Sequence, residues 1–169
     1  MTTVADLHRA VQTTLASKRV GTPVFARYQF HASLRGQAVI DRLARTAAAV
    51  RDWLGASLER VLAQGTSASR HVSLLLEFRG GLTAVVTWIG TAGRGAGVDL
   101  TLIGNHGVIY HDAGDGSLWD EAMTADDAAP DRNLAALIER AIKSGRPEDA
   151  PLTPNPSPPR GEGRNGAQP

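Results

Sequence analysis

Histidine, serine and carboxylate side chains are the groups in this sequence that could do chemistry, and their spacing decides which chemistry. Five histidines are spread over 169 residues, and they lack the spacing of a metal-binding motif. His106 and His111 are five residues apart, without the His-Glu-x-x-His pattern of a zinc-binding helix. No serine lies in a Gly-x-Ser-x-Gly motif, and cysteine is absent. The sequence therefore predicts neither a metal ligand set nor a recognisable nucleophile.

Two further groups of residues have the right types for catalysis but the wrong setting. Asp99, Asp112, Asp115 and Asp120 could supply a pair of carboxylates, yet they fall in turns and at strand ends, where solvated aspartates are ordinary. The segment Gly93–Gly97 approaches a dinucleotide-binding motif, but it joins two predicted strands and no helix follows to hold a pyrophosphate. We interpret it as a hairpin turn. No catalytic residue and no cofactor is predicted from these patterns.

The overall composition excludes several classes of partner. Eighteen lysines and arginines against seventeen aspartates and glutamates leave a net charge of +1, which is not the basic excess of a nucleic-acid-binding or membrane-surface protein. No uninterrupted run of eighteen apolar residues is present, and the first residues lack the pattern of a signal peptide. We therefore expect a cytoplasmic protein with no nucleic-acid or membrane partner.

Apolar periodicity predicts the elements that must position these residues. Steps of three and four residues indicate helices, the first capped by Thr3 and the last by Asp131. Alternation of apolar and polar residues indicates strands separated by glycine-rich turns. The helices are expected at 4–18, 37–54 and 133–143, and the strands at 24–32, 58–64, 71–78, 82–91, 98–103 and 108–111. This order predicts an α+β domain over residues 1–150, with an open, mainly antiparallel sheet of about five or six strands and helices on one face.

The last nineteen residues differ in composition from the rest. Residues 151–169 contain six of the nine prolines and almost no aliphatic side chain. Such a segment buries too little apolar area to offset its ordering entropy, so we expect a disordered tail. A proline-rich ligand for a partner protein is the alternative interpretation.

A sheet covered by helices on one side only leaves its other face available for binding. On the first strand, Arg27, Gln29 and His31 alternate with apolar residues and are expected on this open face. The full predicted set on the open face is Arg27, Gln29, His31, Glu77, Thr83, Thr87, Asp99, Thr101 and His111. We expect this face to form a homodimer, for which an interface of about 800 Å² per partner is enough.

Three motifs in sequence order carry a resemblance to a known family. They are Leu15–Arg27, similar to an entry of helix, Ile-Gly-x-Val and strand; Phe78–Ala84, similar to a Phe-x-x-Gly-Ala-x-Ala hairpin; and Leu102–Ile109, similar to an Ile-x-Gly-x-x-Gly-x-Leu turn. The segment from His8 to Ile142 resembles the C-terminal domain of the glucose-fructose oxidoreductase and inositol dehydrogenase (Gfo/Idh/MocA) superfamily. The resemblance implies an α+β domain whose open sheet packs against another subunit. Because the sequence begins where that domain begins, we expect the cofactor-binding Rossmann domain to be missing.

The second predicted helix departs from the family at its catalytic position. The family pattern Asp-x-x-x-His-x-x-Asp is matched at Asp41, but Arg45 stands where the resemblance places the histidine, and Ala48 where it places the second aspartate. Arginine stays protonated at any useful pH and cannot relay a proton as imidazole does. We therefore expect no hydride transfer by this chain alone, and treat Asp41 and Arg45 as candidates for ligand binding.

The resulting hypothesis is a non-catalytic, dimerising, ligand-binding module derived from the substrate domain of an oxidoreductase. The candidate ligand-binding residues are Arg27, Gln29, His31, Asp41, Arg45, Glu77, Asp99, His106 and His111. The chemical class of the ligand stays undecided between a sugar-like molecule and a tetrapyrrole, since the family that the chain resembles handles both classes.

Two alternatives remain. The chain could bind haem or another tetrapyrrole through one axial histidine, for which His31, His106 and His111, near Tyr28 and Tyr110, are the candidates. It could instead be the substrate subunit of an oxidoreductase whose Rossmann half is a separate chain, with Asp41 and Arg45 orienting the substrate. A degenerate fragment without a selected role is also compatible with the sequence.

Overall fold

The structure is a computed structural model that describes residues 3–66, 68–92, 96–112 and 129–151. Within these residues the chain forms three helices and one seven-stranded sheet. In chain order the elements are α1 (Val4–Ala16), β1 (Pro23–Ala32), α2 (Gln37–Leu54), β2 (Leu58–Thr66), β3 (His71–Phe78), β4 (Leu82–Gly90), β5 (Gly97–Gly104), β6 (Val108–His111), α3 (Arg132–Ser144) and β7 (Glu148–Asp149). The predicted disordered tail lies outside the described residues from position 152 onward.

The sheet is open and mostly antiparallel, as predicted. Its strands lie in the order β6-β5-β1-β4-β3-β2-β7. The pairing of β1 with β4 is parallel, with Tyr28 opposite Val86, and the other five pairings of described strands are antiparallel. The prediction of five or six strands missed β7, because a two-residue strand is too short to show alternation.

The prediction that the Gly93–Gly97 segment forms a hairpin turn was wrong. β4 and β5 are consecutive in the sequence, yet β1 lies between them and pairs with both. A glycine-rich turn predicts a reversal of the chain, but long-range packing decides which strand is adjacent. From its position between those two strands, β1 places Ala26, Tyr28 and Phe30 in the buried core.

Helix α1 begins at a capping box that the sequence partly predicted. The Thr3 hydroxyl oxygen accepts a hydrogen bond from the Asp6 backbone N–H at 3.1 Å, and the Thr3 backbone N–H donates to the Asp6 carboxylate at 3.0 Å. That backbone bond, followed by the Thr3 hydroxyl and Arg9, holds the pKa of Asp6 below its usual value. The helix packs Val4, Leu7 and Val11 against the rest of the core.

All three helices cover one face of the sheet, where the hydrophobic core lies. Tyr28, Phe30 and Trp88 are the largest side chains that are fully buried there. The indole N–H of Trp88 donates to the Ala32 carbonyl oxygen at 3.1 Å, so its polar atom is satisfied inside the core. Helix α2 contacts β1 and β4, while α3 contacts β2. No helix of the described residues is both long and apolar enough to cross a bilayer.

Candidate functional site

The open face carries a connected polar cluster at its centre, which the sequence predicted in part. The guanidinium of Arg27 donates to the Gln29 side-chain oxygen at 3.1 Å. The Gln29 amide nitrogen lies 3.0 Å from the His31 Nε2 and donates to the Asp99 carboxylate at 3.4 Å. The structure therefore brings together four of the predicted ligand-binding residues, and we call Arg27, Gln29, His31 and Asp99 the β1–β5 cluster.

One imidazole of the β1–β5 cluster has two possible hydrogen-bond partners. The Nε2 atom of His31 lies 3.0 Å from the Gln29 amide nitrogen and 3.5 Å from the Asp99 carboxylate. An Nε2 without a hydrogen accepts from Gln29, whereas an Nε2 that carries one donates toward Asp99. About one third of each of the two side chains, His31 and Asp99, is exposed, so solvent and partner groups reach both.

A second polar group extends the cluster across the sheet and was not predicted as a site. The Ser73 and Thr87 hydroxyl oxygens are 2.9 Å apart, and the His71 ring nitrogen is 3.5 Å from Ser73. Gln29 lies directly opposite Thr87, and Thr87 opposite Ser73, so one row of polar side chains crosses three strands. Sequence alternation could place Ser73 and His71 on this face, but only the strand order shows that they continue the β1–β5 cluster.

Glu77 is the one predicted ligand-binding residue that lies on the open face but away from the β1–β5 cluster. Its carboxylate pairs with Arg60 at 3.3 Å, and Arg60 also pairs with Asp149 at 3.2 Å. These groups lie toward the β2 and β7 edge of the sheet. The open face therefore presents charges of both signs at two separate places.

The prediction that His111 lines the open face was wrong. His111 lies opposite Leu100, which is buried in the core, so its side chain is on the helix-covered face. The alternation within β6 places Val108 and Tyr110 on the open face instead. A four-residue strand has too few positions for sequence alternation to fix its orientation.

The three histidines proposed as haem ligands do not converge. His31 is on the open face and His111 on the opposite face, while His106 is exposed in the β5–β6 turn with its ring against Gly21. Tyr28 is buried on the helix-covered face, not beside His31. Among the residues that the structure covers, no three His, Asp or Glu side chains come together in a group that could hold a metal ion. Axial ligation by one of these histidines stays a prediction.

Tyr110 is the titratable residue on the open face with a shifted pKa. Its hydroxyl donates to the Asp112 carboxylate at 3.3 Å. The negative charge of Asp112 raises the pKa of Tyr110, with smaller contributions from desolvation and Asp99, while Arg27 acts in the opposite direction. The phenol therefore stays protonated over a wider pH range and presents a hydrogen-bond donor and acceptor at the edge of this face.

On the helix side, α2 places Arg45 in a separate small cavity. This cavity, the Arg45 groove, has a volume of about 310 Å³. It is lined by His8, Gln12, Arg45, Ala48, Ala49, Asp52, Trp53, Ala129 and Asp131. Asp41, the other predicted residue of this helix, accepts a hydrogen bond from Gln37 at 2.9 Å and does not line the groove. Of the two residues predicted on α2 to bind a ligand, Arg45 therefore lines the groove and Asp41 does not.

The wall of the Arg45 groove contains a histidine that sequence reasoning had set aside. His8 Nε2 lies 3.3 Å from the Tyr28 hydroxyl, and the His8 ring meets Trp53 edge-on with ring centroids 5.2 Å apart. The Tyr28 and Trp53 rings are stacked at 6.1 Å. These residues come from α1, β1 and α2, so no local motif could have signalled their meeting.

A larger cavity of about 740 Å³ lies next to the Arg45 groove and shares Asp52 and Asp131 with it. It is bounded by the end of α2, the start of β2 and the start of α3. Arg51 pairs there with Asp131 at 3.3 Å and with Asp52 at 3.6 Å. Its charged groups are thus paired with one another and carry one excess negative charge, and none of the nine predicted ligand-binding residues lines it.

Comparison with known proteins shows a relationship in structure that sequence comparison does not detect. No protein-family model and no curated protein matches the sequence. A probable dehydrogenase from Thermotoga maritima matches with a TM-score of 0.64 at 13% identity, covering 85% of this chain and 61% of that one. Myo-inositol dehydrogenase from Lactobacillus casei, solved with NAD(H) and myo-inositol, matches with a TM-score of 0.65 at 15% identity, covering 89% and 60%.

A putative myo-inositol dehydrogenase from Sinorhizobium meliloti 1021 gives a similar result, with a TM-score of 0.62 at 16% identity over 85% of this chain and 62% of that one. The chain thus spans about 60% of the length of these dehydrogenases. At such identities the likeness concerns the fold. This chain has the fold of one part of these dehydrogenases, which confirms the fold that the sequence resemblance implied.

Proposed function

We propose that the chain is a non-catalytic, ligand-binding module that pairs with a second copy of itself through the open face of the sheet. One observation carries the pairing. Of the five large hydrophobic side chains that are exposed among the described residues, four lie on this face: Leu75, Ile103, Val108 and Tyr110. Exposed apolar side chains gathered on one face are typical of an interaction surface.

The size of the open face supports a second copy as the occupant. The seven strands contain 50 residues. With a rise of roughly 3.3 Å per residue and about 4.8 Å between strands, they present about 800 Å². That area matches what each partner of a standard stable interface buries. A two-fold pair of identical sheets therefore covers the face without any further element.

The charges of the open face also suit self-association. Arg27 and Asp99 lie in one half of the sheet, and Arg60 and Glu77 in the other. In an isologous interface each patch meets its own copy or the other patch, so a surface with both signs can avoid leaving unpaired charges. A surface of one sign would repel its own copy.

The non-catalytic part of the proposal is supported by the chemistry of Arg45. A guanidinium is protonated throughout the physiological range, so it binds and orients anions instead of relaying protons. The alternative, a substrate subunit working with a separate Rossmann-domain chain, stays a prediction. The matched dehydrogenases extend beyond the part shared with this chain, which is the one observation that favours it.

The test is the mass of the particle in solution, measured by size-exclusion chromatography with light scattering. We expect wild type to be a dimer. Leu75→Glu places an unpaired carboxylate in the centre of the interface and should weaken the pair by about a hundredfold or more, giving monomers. Ala136→Glu, on an exposed turn of α3, is the matched control and should remain dimeric. A monomeric wild type at the highest soluble concentration, or a dimeric and folded Leu75→Glu, would contradict the proposal.

A further inference from the structure

The Arg45 groove contains a guanidinium that forms no ion pair with any group of the described residues. The Arg45 Nε atom is buried and has no hydrogen-bond partner among the described residues. None of the ion pairs found in the described parts of the chain involves Arg45. A buried donor that has lost its water is costly unless another group accepts from it. The groove therefore lacks an acceptor at this position.

The two acidic residues of the groove do not fill that role, because they are already paired. Asp131 accepts from the Arg51 guanidinium at 3.3 Å with one oxygen, and its other oxygen accepts from the backbone N–H groups that start α3. The Asp52 carboxylate lies 3.6 Å from the Nε of Arg51. Arg51 carries one positive charge against these two carboxylates, so Arg45 brings the set to neutrality, yet neither carboxylate forms an ion pair with the Arg45 guanidinium.

The remaining walls of the groove combine small, aromatic and polar side chains. Ala48 and Ala49 follow Arg45 by three and four residues on α2, so their small side chains leave space beside the guanidinium. Trp53 supplies an aromatic wall, and its ring is held by contacts with His8 and Tyr28. His8 and Gln12, one helical turn apart on α1, add polar groups to the lining.

We propose that the Arg45 groove binds a small monocarboxylate, with the carboxylate on the Arg45 guanidinium and an apolar body along Ala48, Ala49 and Trp53. The planar fork of arginine matches a carboxylate with two parallel hydrogen bonds. A group with two negative charges fits less well, because Asp52 and Asp131 lie in the same groove. This inference rests on the ligand-binding part of the proposed function and is independent of the dimer.

Benzoate is the probe for the test, and binding is followed by calorimetry and by the amide chemical shifts of α2. We expect saturable binding of benzoate, and at least about tenfold weaker binding of its neutral isostere benzamide and of inorganic phosphate. Arg45→Gln should weaken benzoate binding by about tenfold or more. Ala48→Leu, which fills the groove without changing its charge, should do the same. Arg140→Gln, an exposed arginine on α3, is the matched control and should bind as wild type does.

Three results would overturn the inference: no saturable binding of benzoate by wild type, unchanged binding by Arg45→Gln, or tighter binding of phosphate than of benzoate. The monomeric variant Leu75→Glu separates this inference from the dimer. If it binds benzoate normally, the groove is functional whether or not the open face pairs. If wild type is dimeric but does not bind benzoate, the ligand inference alone fails.

Discussion

The two faces of the sheet are built from the same strands but place their side chains in different environments. On the helix-covered face Tyr28 and Phe30 are fully buried, and the single indole N–H of Trp88 is bonded to the backbone. On the open face, Gln29 and His31 from the same strand bond to polar neighbours while keeping contact with solvent. Adjacent residues of β1 therefore differ completely in environment although their backbones differ little.

This difference indicates a division of roles along each strand. On the covered face most strand side chains are buried together with apolar residues of α1, α2 and α3. The open face combines exposed Leu75 and Tyr110 with polar rows that have spare hydrogen-bonding capacity. Stability should depend mainly on the first face, and association on the second.

The largest expected effect comes from truncating two adjacent side chains of β1, one on each face of the sheet. Phe30→Ala removes a fully buried ring that packs against Tyr28 and Arg42, and should cost about 3–5 kcal/mol of unfolding free energy. His31→Ala should change the unfolding free energy by about 1 kcal/mol or less, because the His31 ring is partly exposed to water in the folded state. Urea unfolding in the monomeric Leu75→Glu background measures both without interference from association. Similar losses for the two variants would show that the open face also stabilises the fold.

A smaller effect is expected from exchanging the chemistry of two adjacent residues in β4. Val86→Thr buries a hydroxyl among apolar side chains on the covered face and should cost about 1–3 kcal/mol. Thr87→Val removes the 2.9 Å bond to Ser73 on the open face and should cost about 1 kcal/mol or less, since Ser73 can turn to water. The same unfolding measurement applies. An equal cost at both positions would mean that the faces do not differ in polarity as described.

Much of the architecture could be predicted from local sequence patterns. The limits of α2 at 37–54 and of β3 at 71–78 agree with the structure, because glycines and strict periodicity mark them. The caps at Thr3 and Asp131 were also correct, since capping is a local interaction between residues a turn apart. These successes concern contacts within one element.

The failures concern contacts between elements. The insertion of β1 between β4 and β5 depends on pairing between distant segments, and the glycines at 93, 95 and 97 carry no information about that. The face occupied by His111 depends on its pairing with Leu100. Of the candidate site, Arg27, Gln29, His31 and Asp99 were predicted and do meet, whereas the meeting of His8 with Tyr28 and Trp53 was not foreseen. Such contacts join residues far apart in sequence, for which spacing gives no signal.

The smallest expected effect is a change in the pKa of Tyr110, which reports on its surroundings on the open face. Asp112→Asn removes the negative charge that contributes most to the raised pKa of Tyr110, so that pKa should fall. The phenolate absorbance follows the titration, and Tyr110→Phe identifies which transition belongs to this residue. The pKa of Tyr110 is raised in the folded state. Its contribution to folding stability is therefore complete below the ordinary phenol pKa and is lost as the pH rises through the folded-state pKa.

The same titration sharpens the comparison between faces when it is run on the dimer. If a second copy covers the open face, burial disfavours the phenolate further, so the pKa of Tyr110 should be higher in wild type than in Leu75→Glu. Identical titrations in a dimeric wild type and in the monomeric variant would place Tyr110 outside the interface. The dimer would then use only the part of the open face around Leu75, on the far side of β1 from β6.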